Sequence, residues 1–194
     1  SLLDSNDFER NLYKNVPGTK IIFEEINKKL NLAFRYCWTS SAKFGLVRKA
    51  TIENLSSSPV ELSVLDGCKN ILPACVTADF QNNNSVLLDA YKKTELDPES
   101  NLAIFTVSSI VTDKAEPNEG LYANTCWFNT NDTPILDHDE KAATISRGKR
   151  PAYFIEKNIS LAGNASETWY QVFDTYLDSC RVADLTAKLA DRES

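Results

Sequence analysis

The chain has 194 residues, of which 42% are hydrophobic, with a formal net charge of -6 and a pI of about 4.9. This length and composition support one substantial core, so a single domain is predicted. The acidic balance disfavours a nucleic-acid partner, because phosphate contacts need clustered Lys and Arg side chains. No apolar run is long enough to cross a bilayer and no leader precedes Phe8, so no membrane partner is expected either.

The compartment stays open from the sequence. The chain begins at Ser1 without an initiator Met, which is expected of a processed form or of an excised segment. A soluble protein of the cytoplasm fits these observations, as does one of the periplasm or exterior from which a leader has been removed.

The first strands are predicted after a polar lead-in of residues 1–19 that contains at most a short helical turn. Apolar alternation in Lys20–Glu25 and Leu32–Trp38 predicts a hairpin around a polar turn. The next predicted pair is Phe44–Asn54 with Val60–Leu65, joined by a turn rich in Ser and Pro. Asp66 and the glycine after it are expected to end that strand.

The period of the pattern then changes from strand to helix. Leu87, Ala90, Tyr91 and Thr94 fall at i, i+3, i+4 and i+7, which predicts one short inserted helix from about residue 84. An Asn or Ser is expected to cap it.

Strand patterns resume in the second half of the chain. Apolar alternation predicts four further strands, Leu102–Val111, Leu121–Phe128, Ala152–Leu161 and Thr168–Tyr176. In the third of these, Tyr153, Ile155, Ile159 and Leu161 are predicted to face inward. Val182, Leu185 and Leu189 lie at helical spacing and predict a C-terminal linker helix. The predicted fold is therefore mainly β, an antiparallel two-sheet sandwich over residues 20–179 with a short inserted helix, followed by the start of a helical linker at 180–194.

The five cysteines do not form a metal-binding pattern, because they are scattered and lack a C-x-x-C pair or a neighbouring histidine. Cys37 and Cys126 fall in strand-like runs and are expected to be buried. Cys68 and Cys75 flank a short loop, where spacing alone leaves a disulfide open. The sequence also contains no nucleotide-binding loop, so it predicts no metal and no cofactor.

Three charged features of the sequence are candidate sites. The cluster Asp137-His138-Asp139-Glu140 holds the sole histidine, but adjacent residues point in alternating directions, so an exposed loop is favoured over a metal or acid–base site. Asp66 and Glu53 are the carboxylates considered for glycoside hydrolysis, although a turn role is more typical of an Asp before Gly. The basic run at 147–150 is interpreted as a solvated turn.

The aromatic residues offer a second kind of site, because flat side chains stack on sugar rings. The three tryptophans all lie in predicted strands, where burial in the core competes with ligand binding. Trp127 is favoured for binding because a polar loop begins at Asn129. The sequence predicts no catalytic residue, and its candidate carbohydrate-binding residues are Trp38, Asp66, Asn70 and Trp127.

A family resemblance rests on three runs of the sequence. FRYCWTSSAKFGLVRKATIENLSSSPVELSVLDGCKNILP, the later LLDAYKK and the turn SLAGNASETWY resemble the N-terminal domain of glycoside phosphorylases and hydrolases related to cellobiose phosphorylase. In that group a β-supersandwich, similar to the galactose mutarotase fold, precedes an (α/α)6 catalytic barrel. The resemblance covers Ile21 to about Leu189. No catalytic residue of the family matches a position in this sequence.

The resemblance implies that catalytic carboxylates lie in a barrel that follows Ser194, which would be the partner of this domain within the same chain. It also implies contacts with an oligosaccharide and a homodimer. Three functions follow as alternatives: a non-catalytic accessory domain of a carbohydrate-active enzyme, a free-standing mutarotase-type enzyme, and a self-contained carbohydrate-binding module. The mutarotase alternative needs an acid and a base, for which His138 is the sole histidine.

Overall fold

The structure is a computed structural model that describes residues 7–108, 122–137 and 142–191. These residues form two sheets, of nine and of three strands, and the pairing is antiparallel. The predicted mainly β fold with two antiparallel sheets is therefore confirmed. The strands are β1 Phe8–Lys14, β2 Lys20–Asn27, β3 Leu32–Ser41, β4 Gly45–Asn54, β5 Val60–Lys69, β6 Lys92–Leu96, β7 Ala103–Val107, β8 Ala123–Phe128, β9 Pro134–Ile135, β10 Ile145–Arg147, β11 Ala152–Leu161 and β12 Ser166–Leu177. The helices are α1 Ala78–Asn83, α2 Ser85–Tyr91 and α3 Ser179–Ala190.

The contacts divide the chain into two compact units. The first comprises Ser1–Leu65, Phe128–Asn131 and Lys157–Val172. The second comprises Asp66–Trp127, Asp132–Glu156 and Phe173–Ser194. Strands β5, β8, β11 and β12 contribute residues to both units.

In the first unit the larger sheet runs in the order β1-β2-β3-β4-β12. The predicted hairpin of β2 and β3 is confirmed, with Phe23 opposite Tyr36 and Ile21 opposite Trp38. Side chains stabilise its turn, because the Asn27 carboxamide oxygen accepts hydrogen bonds from the backbone N–H groups of Lys29 and Leu30. Asn31 takes the left-handed conformation, which asparagine tolerates.

Part of the expected polar lead-in is a strand, since residues 8–14 form β1 rather than a helical turn. This strand pairs with β2 along its whole length, from Phe8 opposite Asn27 to Lys14 opposite Ile21. It lies at the edge of the sheet and most of its side chains are exposed. A polar sequence is typical of such edge strands, so the polarity did not distinguish a strand from a lead-in.

The expected pairing of β4 with β5 is also wrong. β4 lies in the larger sheet, whereas β5 pairs with β11 in the smaller one. The buried Asn54 holds the intervening turn, because its side-chain N–H groups donate to the carbonyls of Ser58 at 2.7 Å and Ala162 at 3.1 Å. The Ser- and Pro-rich turn therefore carries the chain from one sheet to the other.

In the second unit the larger sheet continues from β12 through β8, β7 and β6 to β10, and β9 adds to β11 in the smaller sheet. β5 was expected to end at Asp66, but it runs to Lys69. Gly67 allows this, because a Cβ atom there would lie 2.2 Å from the carbonyl oxygen of Tyr153 in β11. Glycine thus serves a close approach of two strands here rather than a turn.

The inserted helical region contains two helices, α1 and α2, where one was expected. Thr77 caps α1 by accepting a hydrogen bond from the Phe80 N–H at 3.1 Å. Asn84 stands at the start of α2, where an Asn or Ser cap was predicted, but its side chain makes no capping bond. Thr94 belongs to β6 and not to the helix.

The predicted core positions of β11 are confirmed. Tyr153, Ile155, Ile159 and Leu161 are all buried, and the Tyr153 hydroxyl donates to the Asn101 carbonyl at 2.5 Å. In the first unit the buried Trp169 contacts Phe34, with ring centroids 6.2 Å apart.

Cys37 and Cys126 are buried as predicted, and within the described ranges, which include all five cysteines, no disulfide forms.

The predicted C-terminal helix is confirmed as α3, whose N-cap Asp178 accepts from the Arg181 N–H at 2.9 Å. Residues 109–111 and Leu121 of two predicted strands lie outside the described residues. No helix in the described part of the chain has the length and hydropathy needed to cross a membrane.

Candidate functional site

A polar groove of about 240 Å³ in the second unit is the strongest candidate site. Residues from the segment after β5, from α1, from β6 and from the segment before β11 line it. We call it the Lys92 groove, and its lining residues are Asn70, Leu72, Ala78, Gln81, Asn82, Lys92 and Arg150.

Lys92 reaches this groove because it is the first residue of β6. The side chains of Lys92 and Thr94 alternate toward the buried side of that strand, and Lys92 is only 2% exposed. Its backbone carbonyl accepts from the Gly148 N–H at 3.1 Å, which holds the turn before Arg150 in place.

Asn70 also lines the groove and comes directly after β5. Its φ of 59° is in the left-handed region, which asparagine tolerates better than most residues. The following N–H, of Ile71, donates to the carbonyl of Pro151 at 3.1 Å. The ends of β5 and the start of β11 are thereby joined beside the groove.

Three charged side chains form what we call the groove cluster: Asp89, Lys92 and Arg150. The Asp89 carboxylate lies between the two cations, 2.6 Å from the Lys92 ammonium and 3.1 Å from the Arg150 Nε atom. The Gln81 side chain completes the arrangement, since it donates to Asp89 at 3.1 Å and accepts from Lys92.

The pKa of Asp89 reports how these partners act together. Burial raises the pKa, but the hydrogen bonds from Lys92, Arg150 and Gln81 outweigh it, so the pKa is lowered below its ordinary value of 3.8. Asp89 is therefore a carboxylate near neutral pH, and two cations with one anion leave the cluster with one excess positive charge.

A second set of charges lies in the first unit, and we call it the sheet cluster: Glu24, Arg35 and Glu53. Arg35 forms ion pairs with both carboxylates, at 2.5 Å to Glu53 and at closer range to Glu24. Glu24 also accepts from the Tyr13 hydroxyl and the Asn11 amide, each at 3.0 Å. The hydrogen bond from Arg35 is the main reason that the pKa of Glu24 is lowered.

The first unit also has an apolar groove of about 280 Å³, which we call the aromatic groove. Phe23 and Tyr36 stack there with centroids 4.9 Å apart, and the Arg48 guanidinium lies 4.8 Å from the Tyr36 ring centroid. Phe23 is 38% exposed and Leu12 is 65% exposed. The aromatic groove is therefore an exposed apolar surface of the first unit.

The structure does not gather the four predicted carbohydrate-binding residues at one site. Asn70 lines the Lys92 groove. Asp66 and Trp127 belong to the same unit but are buried, at 6% and 8% exposure. Trp38 is half-buried on β3 in the first unit, on the face that carries Tyr36. Carbohydrate binding by these residues stays a prediction.

The remaining predicted charged sites lead elsewhere. Glu53 pairs with Arg35 in the first unit, whereas Asp66 is buried in the second, so each belongs to its own local structure. Asp137 forms an ion pair with Lys149, while residues 138–140 of the histidine cluster lie outside the described residues. Over the ranges that the structure describes, no three His, Cys, Asp or Glu side chains gather as metal ligands.

Sequence reasoning missed most of the Lys92 groove. Residues 147–150 are exposed, which agrees with their interpretation as a solvated turn, but that interpretation gave no sign that Arg150 pairs with Asp89. Thr94 was assigned to a helix, which hid the strand that begins at Lys92. The available signal was the alternation in KKTEL, which places Lys92 and Thr94 on one face and Lys93 and Glu95 on the other. A lysine on the inward face of a strand is unusual enough to indicate a paired or ligand-binding role.

Comparison with known proteins gives a likeness of fold. No protein-family model and no curated sequence matches this chain at a significant level. Among solved structures, a polysaccharide lyase aligns with a TM-score of 0.52 and 10% identity, over 91% of this chain and 24% of the lyase. This chain thus has the fold of part of a carbohydrate-active lyase and spans about a quarter of that protein's length.

Two further solved structures align less well. A galactose mutarotase-like protein from Lactobacillus casei has a TM-score of 0.46 and 7% identity, over 87% of this chain and 73% of that protein. A heparan sulfate lyase from Pedobacter heparinus has a TM-score of 0.44 and 13% identity, over 89% of this chain and 22% of the lyase.

Proposed function

We propose that this chain is a non-catalytic, carbohydrate-associated accessory domain of a larger carbohydrate-active enzyme. The observation that carries the proposal is the alignment of 91% of this chain with only 24% of a polysaccharide lyase. A sandwich of this fold therefore occurs as one part of a much longer enzyme. Because one fold hosts many functions, the proposal also needs a direct test.

The proposal includes a parent enzyme related to glycoside phosphorylases and hydrolases, in which the sandwich supports the active site of a following (α/α)6 barrel. The aromatic groove supports this part, since its exposed Leu12 and Phe23 offer apolar surface for an interdomain contact. We assign the barrel of the same chain as the occupant of that groove, because an accessory domain must be fixed to the enzyme that it serves.

The test uses the 194-residue chain by itself. It is incubated with a panel of neutral and acidic polysaccharides, and the release of reducing ends, of phosphorolysis products and of unsaturated lyase products is followed. Polarimetry of a freshly dissolved aldose measures mutarotation in parallel. We expect no turnover in any assay, together with binding to at least one glycan on an array.

Two outcomes would contradict the proposal. Turnover that depends on the folded chain would show that the segment is itself an enzyme, and mutarotation would favour the mutarotase-type alternative. Failure to bind any glycan, with a β-type circular dichroism spectrum showing an intact fold, would remove the association with carbohydrate.

A further inference from the structure

We propose that the Lys92 groove binds the singly charged acidic group of a saccharide, a carboxylate or a sulfate ester carried on a sugar ring. The inference rests on the proposed association with carbohydrate and names the part of the molecule and the class of sugar involved.

The charge of the groove favours an anionic ligand. Asp89 neutralises one of the two cations that surround it, which leaves one positive charge beside a cavity. A monoanion balances that excess, whereas a phosphate monoester carries about -1.5 to -2 charges near neutral pH and would overcompensate it. The whole chain has a net charge of -6, so attraction of an anion must come from these local groups.

The groove also has donors that its own residues do not use. The Lys92 ammonium has three N–H groups, and within the described residues it bonds to Gln81 and Asp89. Arg150 uses its Nε atom on Asp89, and its side chain is 53% exposed. The remaining N–H groups of both residues are thus available to an oxygen acceptor in the groove.

The carboxamide side chains of the groove favour a sugar over a bare anion. Asn70, Gln81 and Asn82 line the same groove as the two cations, and a carboxamide both donates to and accepts from hydroxyl groups. Leu72 and Ala78 supply the apolar wall against which the C–H face of a ring can pack. A bare inorganic anion would use the cations but not this mixed lining.

The size of the groove limits the ligand to a small unit. Its volume of about 240 Å³ lies below the roughly 300–1,000 Å³ of pockets that enclose drug-sized ligands. We therefore expect one sugar ring in the groove, with the rest of an oligosaccharide outside it.

Isothermal titration calorimetry with four probes tests the proposal: glucuronate, glucose 6-sulfate, glucose and acetate. We expect both acidic sugars to bind more tightly than glucose or acetate, and the stronger of the two identifies the acidic group. Equal binding of acetate and glucuronate would show a simple anion site. Equal binding of glucose and glucuronate would show that the charge plays no part.

Variants locate the binding. Arg150→Gln should weaken the binding of the preferred acidic sugar about tenfold, the loss of one charged hydrogen bond, because the side chain is exposed enough for the fold to be kept. Arg147→Gln removes an exposed arginine of β10 that does not line the groove and is the matched control. Asn70→Ala should weaken the acidic sugars more than acetate.

The results separate this inference from the proposed function. An acidic sugar that binds equally to the parent chain and to Arg150→Gln would overturn the groove as the site. Glycan-array binding without any binding of glucuronate or glucose 6-sulfate would also overturn it, while leaving the carbohydrate association in place. No binding of any glycan would overturn both.

Discussion

The sheet cluster and the groove cluster are built from the same number of charged side chains with opposite signs. In the sheet cluster Arg35 stands between two carboxylates, and in the groove cluster Asp89 stands between two cations. Each central residue has two ion-pair partners, and each cluster contains a carboxylate with a lowered pKa. Counting ion pairs alone would assign the two regions the same role.

Their surroundings make the difference. The sheet cluster lies across three neighbouring strands, with Glu24 directly opposite Arg35 in the register of β2 and β3. Glu24 also accepts hydrogen bonds from Tyr13 and Asn11. The groove cluster instead joins a helix, a strand and a loop around a cavity. Asn11 and Glu24 also line the aromatic groove, but Arg35, the cation of the sheet cluster, does not, whereas both cations of the groove cluster line the Lys92 groove. Side chains in register across a sheet stabilise the sheet, whereas cationic donors that face a cavity are available to a ligand.

The largest expected effect comes from a substitution in β5, the strand that precedes Asn70 of the Lys92 groove, and it leaves the sheet cluster unchanged. Gly67→Ala places a Cβ atom against the Tyr153 carbonyl at 2.2 Å, and should cost at least about 3 kcal/mol of unfolding free energy or prevent folding. Urea denaturation measures it. Gly148→Ala is the control, because its φ is also positive but open space surrounds it, so about 1 kcal/mol is expected. Equal losses for both variants would contradict the close approach of β5 and β11.

Removal of the central anion of the groove cluster should have the next largest effect. Asp89→Asn leaves the buried Lys92 without its charged partner, and breaking a buried ion pair from one side costs about 3 kcal/mol or more. Asp184→Asn changes an exposed aspartate of α3 and should stay within about 0.5 kcal/mol. A loss for Asp89→Asn no larger than that of the control would mean that Lys92 does not depend on Asp89.

A smaller effect is expected in the sheet cluster. Glu24→Gln leaves Arg35 paired with Glu53 and partly exposed, so we expect a loss of about 1 kcal/mol in urea denaturation. The comparison of the two clusters predicts that this loss is clearly smaller than that of Asp89→Asn. The reverse order would show that the sheet cluster holds the more strongly buried charge.

The smallest difference concerns pH. The pKa values of Glu24 and Asp89 are lowered from 4.5 and 3.8, so the unfolded chain binds more protons in the acidic range. Their contributions to stability are full above those ordinary values and are lost as pH falls through the lower pKa values of the folded protein. Urea denaturation from about pH 6 to pH 3 should show this loss, with a shallower slope in Glu24→Gln. An unchanged slope would contradict the pairing of Glu24 with Arg35.

The parts of the fold that could be predicted from sequence are those in which apolar and polar residues alternate along a strand. The hairpin of β2 and β3 followed from this alternation, although no residue of β2 is buried. The inward residues of β11 followed from it because burial of one face imposes a period of two. β1 could not be predicted, because an edge strand with most side chains exposed has no such constraint. The predicted β5 was too short, because the sequence does not distinguish a glycine that permits close packing of two strands from a glycine in a turn.

The candidate site was harder to predict for a related reason. Asn70 was named as a candidate carbohydrate-binding residue, but Lys92, Asp89 and Arg150 come from three elements that only the tertiary structure brings together. Local periodicity gives no information on such contacts, and the coincidence of Thr94 with a helical period concealed the strand that holds Lys92.

NMR spectroscopy of the ¹⁵N-labelled chain, titrated with glucuronate, tests most directly whether the groove cluster binds a ligand while the sheet cluster is structural. The side-chain amide signals of Asn70, Gln81 and Asn82 report on the Lys92 groove, and that of Asn11 reports on the sheet cluster. We predict saturable shifts of the first three signals and none of the fourth. Shifts confined to Asn11 and the strands around it, or no shift in any signal at saturating glucuronate, would contradict the account.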